Sequence, residues 1–235
     1  MGRFLFVISV FLFLTPLLFS QNKAENGNLP FTCGEKLKYI MHFGWVDGGE
    51  AKLELNKSNF NGSEVYHAVA VAKTISLVEK FYKVHDVYQS FYHTSTVLPY
   101  KAIRDIHEDR YKYYNEVTYY HLKDSVFSLK SGWHKIPKPC FDIISAFYYL
   151  RASIAKKGKA EQVFRVDTYF ADEIFPLVIK FKGIEKISTR IGTFECMKFV
   201  PVVETGRVFD DEDDLTLWIS NRSEEHTSEL QSPNT

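Results

Sequence analysis

The stretch Lys36-Leu37-Lys38-Tyr39-Ile40-Met41-His42-Phe43-Gly44-Trp45-Val46-Asp47-Gly48-Gly49-Glu50-Ala51-Lys52-Leu53-Glu54-Leu55 decides the fold. Leu37, Tyr39, Met41, Phe43 and Trp45 occupy every second position, with Lys36, Lys38, Ile40, His42 and Gly44 between them. In extended backbone successive side chains point to opposite sides, so this period of two gives a strand with one strongly apolar face. Asp47-Gly48-Gly49 takes up positive φ readily and predicts a tight hairpin. Ala51, Leu53 and Leu55 then alternate with Lys52 and Glu54 as the returning strand. Such a hairpin must bury its apolar face against something larger, which points to a sheet-based domain.

Downstream the same alternation recurs. Asn59 to Ser63 is a turn, and its Asn61-Gly62-Ser63 is also a glycosylation sequon, read as chance. Glu64 to Ala72 reads as a strand with small alanines at 68, 70 and 72 on one face. Ile75, Val78, Phe81 and Tyr82 have helical spacing, so 74–82 is a short helix or an irregular crossing. Strand character continues over 84–92, 100–107, 111–122 and 125–129, and again over 163–170, 177–181, 194–201 and 215–219. Aromatic residues make up 16% of the chain, led by 20 Phe and 14 Tyr, which suits pleated, half-buried surfaces.

One helix interrupts the strands. Pro137 and Pro139 stop the extended segment before it, and Asp142 is a natural N-cap. Ile143, Phe147, Leu150 and Ile154 form an apolar stripe. Lys156 and Lys157 complement the C-terminal dipole, and Gly158 is placed to end the helix in the left-handed conformation.

The two termini read differently from the body. Arg3 precedes an almost wholly apolar run from Phe4 to Phe19, broken by Pro16, with Ser20 before Gln21 at a cleavage point. That pattern is a cleaved secretory signal over 1–20, the alternative being an uncleaved N-terminal anchor. With no Cys at the cleavage point, lipid attachment there is not expected. Residues 21–30 form a polar, flexible lead. Arg222 to Ser232, R-S-E-E-H-T-S-E-L-Q-S, resembles one frame of a translated sequencing adapter, so 222–235 is read as artefact and disordered. On that reading the natural sequence breaks off after Asn221, leaving 31–221 as a single truncated β-rich domain. Without these ends the basic and acidic residues are almost balanced, and net charge gives the domain no general attraction to nucleic acid or to an anionic membrane. Three cysteines, Cys33, Cys140 and Cys196, allow at most one internal disulfide and show no metal or redox spacing.

Motifs for a nucleophile elbow, a zinc helix, a redox pair or a phosphate loop are absent from the body of the sequence. His107-Glu108-Asp109-Arg110 could supply a general base, but reads better as a charged turn between Tyr-rich strands. His85 and His93 share a face if their strand is unbroken, with no third metal ligand identifiable. Asp210 to Asp214 could hold a hard cation, yet lacks a calcium-loop pattern and reads as a solvated hairpin tip. Tyr111, Tyr113 and Tyr119 point one way from their strand and Tyr114 and Tyr120 the other, so one aromatic face is free to line a groove or meet a partner. In the helix, Ser145 and Arg151 are the notable polar residues, and Arg151 suits a carboxylate partner or an anionic ligand group.

Four segments together resemble an exported Gram-negative bacterial family catalogued as domain of unknown function 3108. They are Gly34 to Tyr39 running into Gly48-Gly49, Asp142 to Arg151, Gly192 to Cys196 with Pro201, and Leu217-Trp218-Ile219. The resemblance implies export, one β-rich domain, and no catalytic residues to carry over. The expected protein is mainly β: a single curved antiparallel sheet or incomplete barrel with one central amphipathic helix over about 142–157. Such a cup suits a non-catalytic periplasmic or outer-envelope binding or assembly factor for a lipid, glycan or partner protein. The expected ligand-binding residues are Tyr111, Tyr113, Tyr119 and Arg151, with no cofactor, no metal, no nucleic acid and no transmembrane segment after signal cleavage. The alternative is an envelope hydrolase, which requires His85, His93, His107 or Glu108 to converge in a cleft.

Overall fold

The computed structural model describes residues 29–43, 46–189, 192–202, 216–220 and 230–231. Eight strands follow one another as an antiparallel meander: β1 (Lys36–Phe43), β2 (Val46–Phe60), β3 (Ser63–Thr74), β4 (His85–His93), β5 (Pro99–Glu108), β6 (Tyr111–Tyr120), β7 (Ser125–Ser128) and β8 (Gly132–Lys135). A single turn of helix, α1 (Val78–Phe81), bridges β3 and β4. The long helix α2 (Ile143–Lys157) follows. A second antiparallel sheet then holds β9 (Gln162–Phe170), β10 (Glu173–Thr189), β11 (Gly192–Pro201), β12 (Thr216–Ser220) and β13 (Leu230–Gln231). The protein is therefore mainly β with one long helix, as expected, and its strands divide into two sheets that do not close into a barrel. β13 falls within the segment read as adapter-derived and adds two ladder pairs to β12.

The opening hairpin forms in the expected alternation, with a different turn. Phe43 pairs with Val46, so Asp47-Gly48-Gly49 lies inside β2 and the reversal comes earlier. Met41 faces Gly49 and His42 faces Asp47, which leaves Gly48 as the extra residue of a bulge. Its carbonyl accepts from the Ile75 N–H at 3.1 Å. The glycines thus serve a bulge rather than a hairpin loop. Gly44 and Trp45 lie outside the described residues.

Across the inner face of the first sheet, Leu55, Ala68, Ser90, Ala102, Val117 and Ser128 stand opposite one another on successive strands. These are mostly small side chains, and the trough they leave is filled by α2. Ile144, Tyr148 and Ala152 pack on Leu37, Tyr39, Leu55, Ala68 and Tyr92. Ala146, Leu150 and Ile154 pack the other way, on Val166, Phe181, Met197, Phe199 and Ile219 of the second sheet. No described side chain from Ile143 to Ile154 is exposed. The helix is accordingly buried all round, with two apolar faces in place of the single expected stripe, as a helix between two layers must be.

Its ends are well defined. The Asp142 carboxylate accepts from the Ile144 and Ser145 N–H groups at 2.8 and 3.0 Å, and the Ser145 hydroxyl accepts in return from the Asp142 N–H at 3.1 Å. Gly158 ends the helix in extended backbone, at φ −65°, instead of the left-handed cap expected.

Candidate functional site

A second inner-face row runs Ala70, Tyr88, Arg104 and Asn115 across β3, β4, β5 and β6. The start of α2 closes one side of this row, and the β9–β10 hairpin closes the other. That hairpin turns on Ala171 and Asp172, at φ 53° and 65°, both in the left-handed region. Asp tolerates this conformation through its short polar side chain, whereas Ala171 stores a little strain. The turn sends Phe170 and Asp172 toward Arg104. Between these walls lies a small cleft enclosing about 30 Å³, room for roughly two waters.

Arg104 dominates the cleft. Its guanidinium carbon lies 4.2 Å from the Phe170 ring centre, 5.2 Å from Tyr113 and 5.7 Å from Tyr88. Three rings around one cation are a favourable electrostatic arrangement, because the charge lies over the negative face of each ring. Among the described residues Arg104 is in no ion pair within 4.0 Å, whereas Arg151 and Arg165 each have one. Its Nε is buried with no hydrogen-bond partner.

The two acidic residues of the cleft are committed elsewhere. Asp172 Oδ1 accepts from the Ser128 hydroxyl at 2.7 Å, and from Asn115 Nδ2 and the Tyr169 hydroxyl at 3.3 Å each. Burial by itself would raise the Asp172 pKa. Hydrogen bonds from Ser128, Ser131, Tyr169 and Asn115 together outweigh that and hold the carboxyl below its usual range. Asp142 accepts the helix-capping bonds and the Ser90 hydroxyl at 2.6 Å. Its burial wins over those donors and raises its pKa. Tyr169, lining the same cleft, has its phenol pushed up to about 12, chiefly by burial.

The four residues expected to bind ligand separate into three environments. Tyr113 flanks Arg104, and exposed Tyr111 stacks on it with ring centres 6.5 Å apart. Tyr119 is buried, its hydroxyl donating to the carbonyls of Phe141 and Tyr169 at 3.4 Å each. Arg151 is almost fully buried, and its two terminal nitrogens donate to the two Glu35 carboxylate oxygens at 2.7 and 2.8 Å. Arg151 also donates to the Pro30 carbonyl at 3.1 Å. Of the two partners considered for Arg151, the fold supplies the carboxylate. Ser145 is absorbed in the helix cap.

The residues a hydrolase would need do not line the cleft. Val84 bridges to Glu108 and Val87 pairs with Asp105, which sets His85 and His107 side by side on the exposed side of the sheet. His93 is at the far end of β4, about 26 Å away at strand rise, where its Nδ1 accepts from the Ser95 and Thr96 N–H groups. Only Asp109 and Arg110 of the expected charged turn form the β5–β6 turn; His107 and Glu108 are the last ladder residues of β5. Among the described residues no three His, Cys, Asp or Glu side chains gather as metal ligands, and no helix is long and apolar enough to cross a membrane. Asp210 to Asp214 lie outside the described residues. All three cysteines are unpaired, Cys33 exposed and Cys140 and Cys196 buried.

The model of a family described as "Protein of unknown function (DUF3108)" matches residues 38–230. The chain belongs to the DUF3108 family. No curated protein and no solved structure matches it. The DUF3108 match takes in the meander, α2 and most of the second sheet, and so contains every wall of the cleft.

Arg104 was not singled out from the sequence, although a signal exists. It stands between Ala102 and Ile106 at alternate positions of β5, a cation flanked on its face by apolar side chains. A buried-side arginine without an obvious partner is worth asking about.

Proposed function

We propose that this DUF3108 chain is a non-catalytic binding protein of the periplasm or outer envelope of a Gram-negative bacterium. It receives the anionic end of a ligand, a carboxylate or phosphate, at Arg104. The observation that carries this reading is a guanidinium held by three aromatic rings with no described carboxylate within 4.0 Å of it. A fork of N–H donors matches the paired oxygens of such a group. Both acids in the cleft already accept several hydrogen bonds, and Arg104, whose side chain also meets the Tyr88 hydroxyl, has no ion pair among the described residues. Tyr111 and Tyr113 extend the aromatic surface outward from the guanidinium and offer a platform for the remainder of the ligand, whether lipid, glycan or the end of a protein chain. What supports the location is the apolar run Phe4 to Phe19 behind Arg3.

The test is native mass spectrometry of the secreted protein beside Arg104→Met, a substitution that keeps the apolar stem. A co-purifying mass that vanishes on denaturation, and is missing from Arg104→Met, is the expected outcome. A bare polypeptide mass for the unsubstituted protein, or an equal adduct on the variant, refutes the assignment.

A further inference from the structure

The outward side of the first sheet ends in an apolar surface that the cleft does not use. Tyr120, Phe127, Leu129 and Trp133 are all exposed at outward positions of β6, the β7 end and β8. Leu122, in the turn between β6 and β7, is 96% exposed. Three of the residues are contiguous: Phe127 pairs with Trp133 across the strands, with ring centres 5.4 Å apart, and Tyr120 lies 5.0 Å from Trp133. A patch of this kind on a monomer marks an interaction surface.

Charge identifies the occupant. Lys130 turns to the inner face, over the Tyr113 ring at 5.6 Å, which leaves Lys123, Lys135 and Lys138 beside this surface against the single acid of 118–138, Asp124. That acid is paired with Lys138 at 3.7 Å, and nearby Glu116 is held by Lys101 at 2.5 Å. Lys123 leans over the Tyr120 ring at 5.9 Å. A second copy of the chain docking by two-fold symmetry would bring lysines against lysines. A neutral sugar would leave Leu122 and Leu129 unused. A bilayer with anionic headgroups accepts all of these at once: lysines at the phosphates, Trp and Tyr rings at the headgroup level, leucines just below.

We infer that the Tyr120–Leu122–Phe127–Trp133 surface docks on an anionic lipid bilayer. This inference stands apart from the Arg104 reading and can fail alone.

The experiment is co-sedimentation of the secreted protein with vesicles of phosphatidylcholine alone, and of phosphatidylcholine mixed two to one with phosphatidylglycerol. Binding should be about tenfold stronger to the anionic vesicles and fall as salt rises. Leu122→Asp and Trp133→Ser, each with an unchanged circular-dichroism spectrum, should each weaken it by about tenfold. Phe81→Asp, at an 87% exposed position in α1 on another part of the surface, should leave it unaltered. Failure of the folded protein to sediment with anionic vesicles, equal binding to both compositions, or equal damage from Phe81→Asp would overturn the inference. Capture by neutral glycan or by a soluble protein, with no vesicle binding, would do the same.

Discussion

Replacing Arg151 by Met separates two roles for this arginine, because they predict opposite results. The side chains of Arg151 and Glu35 are 1% and 4% exposed, and two hydrogen bonds of 2.7 and 2.8 Å join them. Removing the guanidinium leaves an unpaired carboxylate in a site shared with Phe31, Tyr39 and Tyr148, and orphans the Pro30 carbonyl. Breaking one side of such a pair costs about 3–5 kcal/mol. Of that, losing the Pro30 bond accounts for roughly 1 kcal/mol. The double variant Glu35→Gln/Arg151→Met has no buried charge left, so it should lose less than the two single variants added together, with a coupling of about 2–3 kcal/mol. Urea unfolding followed by circular dichroism measures all four proteins, provided that the transitions are two-state with unchanged slope. A domain with about 5–15 kcal/mol in total would become marginal in Arg151→Met. If that variant loses less than about 1 kcal/mol, or the cycle shows no coupling, the pair is not structural and the argument from burial is wrong.

Two further outcomes follow from the ionisable groups. Asp172 has its pKa lowered in the folded protein, so it binds its proton more tightly when unfolded. The stability it contributes is present above the unfolded value and lost as pH falls through the folded one. Asp172→Asn should therefore shrink the loss of stability between pH 6 and pH 3 (roughly the span across an ordinary carboxyl pKa), read by urea midpoints; an unchanged difference would contradict the network around Asp172. The thiols should divide by burial: burial pushes Cys140 up to about 12 and raises Cys196, while Cys33 is exposed. A thiol-reactive dye at pH 8 should label one cysteine quickly in the native protein and three only after unfolding, and peptide mapping should put the fast label on Cys33.

Much of the meander was legible because its alternation is local. Leu37 to Leu55 announce a two-stranded unit whatever surrounds them, and only the turn was misplaced, since Gly48-Gly49 serves a bulge as readily as a loop. β8 was missed because Gly132-Trp133-His134-Lys135 is too short to show a period. β10 was entered too late, at Leu177, because Pro176 argues against a strand interior. In the fold Pro176 pairs with Asp167 in a stretch where β10 has β9 alone as its described neighbour, and there a missing donor is tolerated. The tyrosines show the limit most clearly. Period two places Tyr111, Tyr113 and Tyr119 on one face, and they do share it. What covers that face is set by distant residues: Phe141 and Tyr169 over Tyr119, nothing comparable over Tyr111. No local pattern carries that information, and the same holds for Glu35 finding Arg151 across 116 positions.

The packing of α2 also restricts what kind of ligand the protein can hold. A curved sheet invites the idea of a cup for an acyl chain, but the row from Leu55 to Ser128 is small-sided because a helix occupies the space above it. Tyr148 and Arg151, both buried, fill the deepest part of that space, and the second sheet closes over the opposite helix face. What stays open is the gap where α2 begins and the β9–β10 hairpin ends, about 30 Å³ and bordered by one caged cation. Admitting a long apolar chain would require displacing α2, whose first turn is tied to β4 through Asp142 and Ser90 at 2.6 Å. A ligand that instead keeps its bulk on the Tyr111–Tyr113 surface and inserts only a charged end needs no such displacement. The fold therefore favours recognition of a terminus over enclosure of a chain.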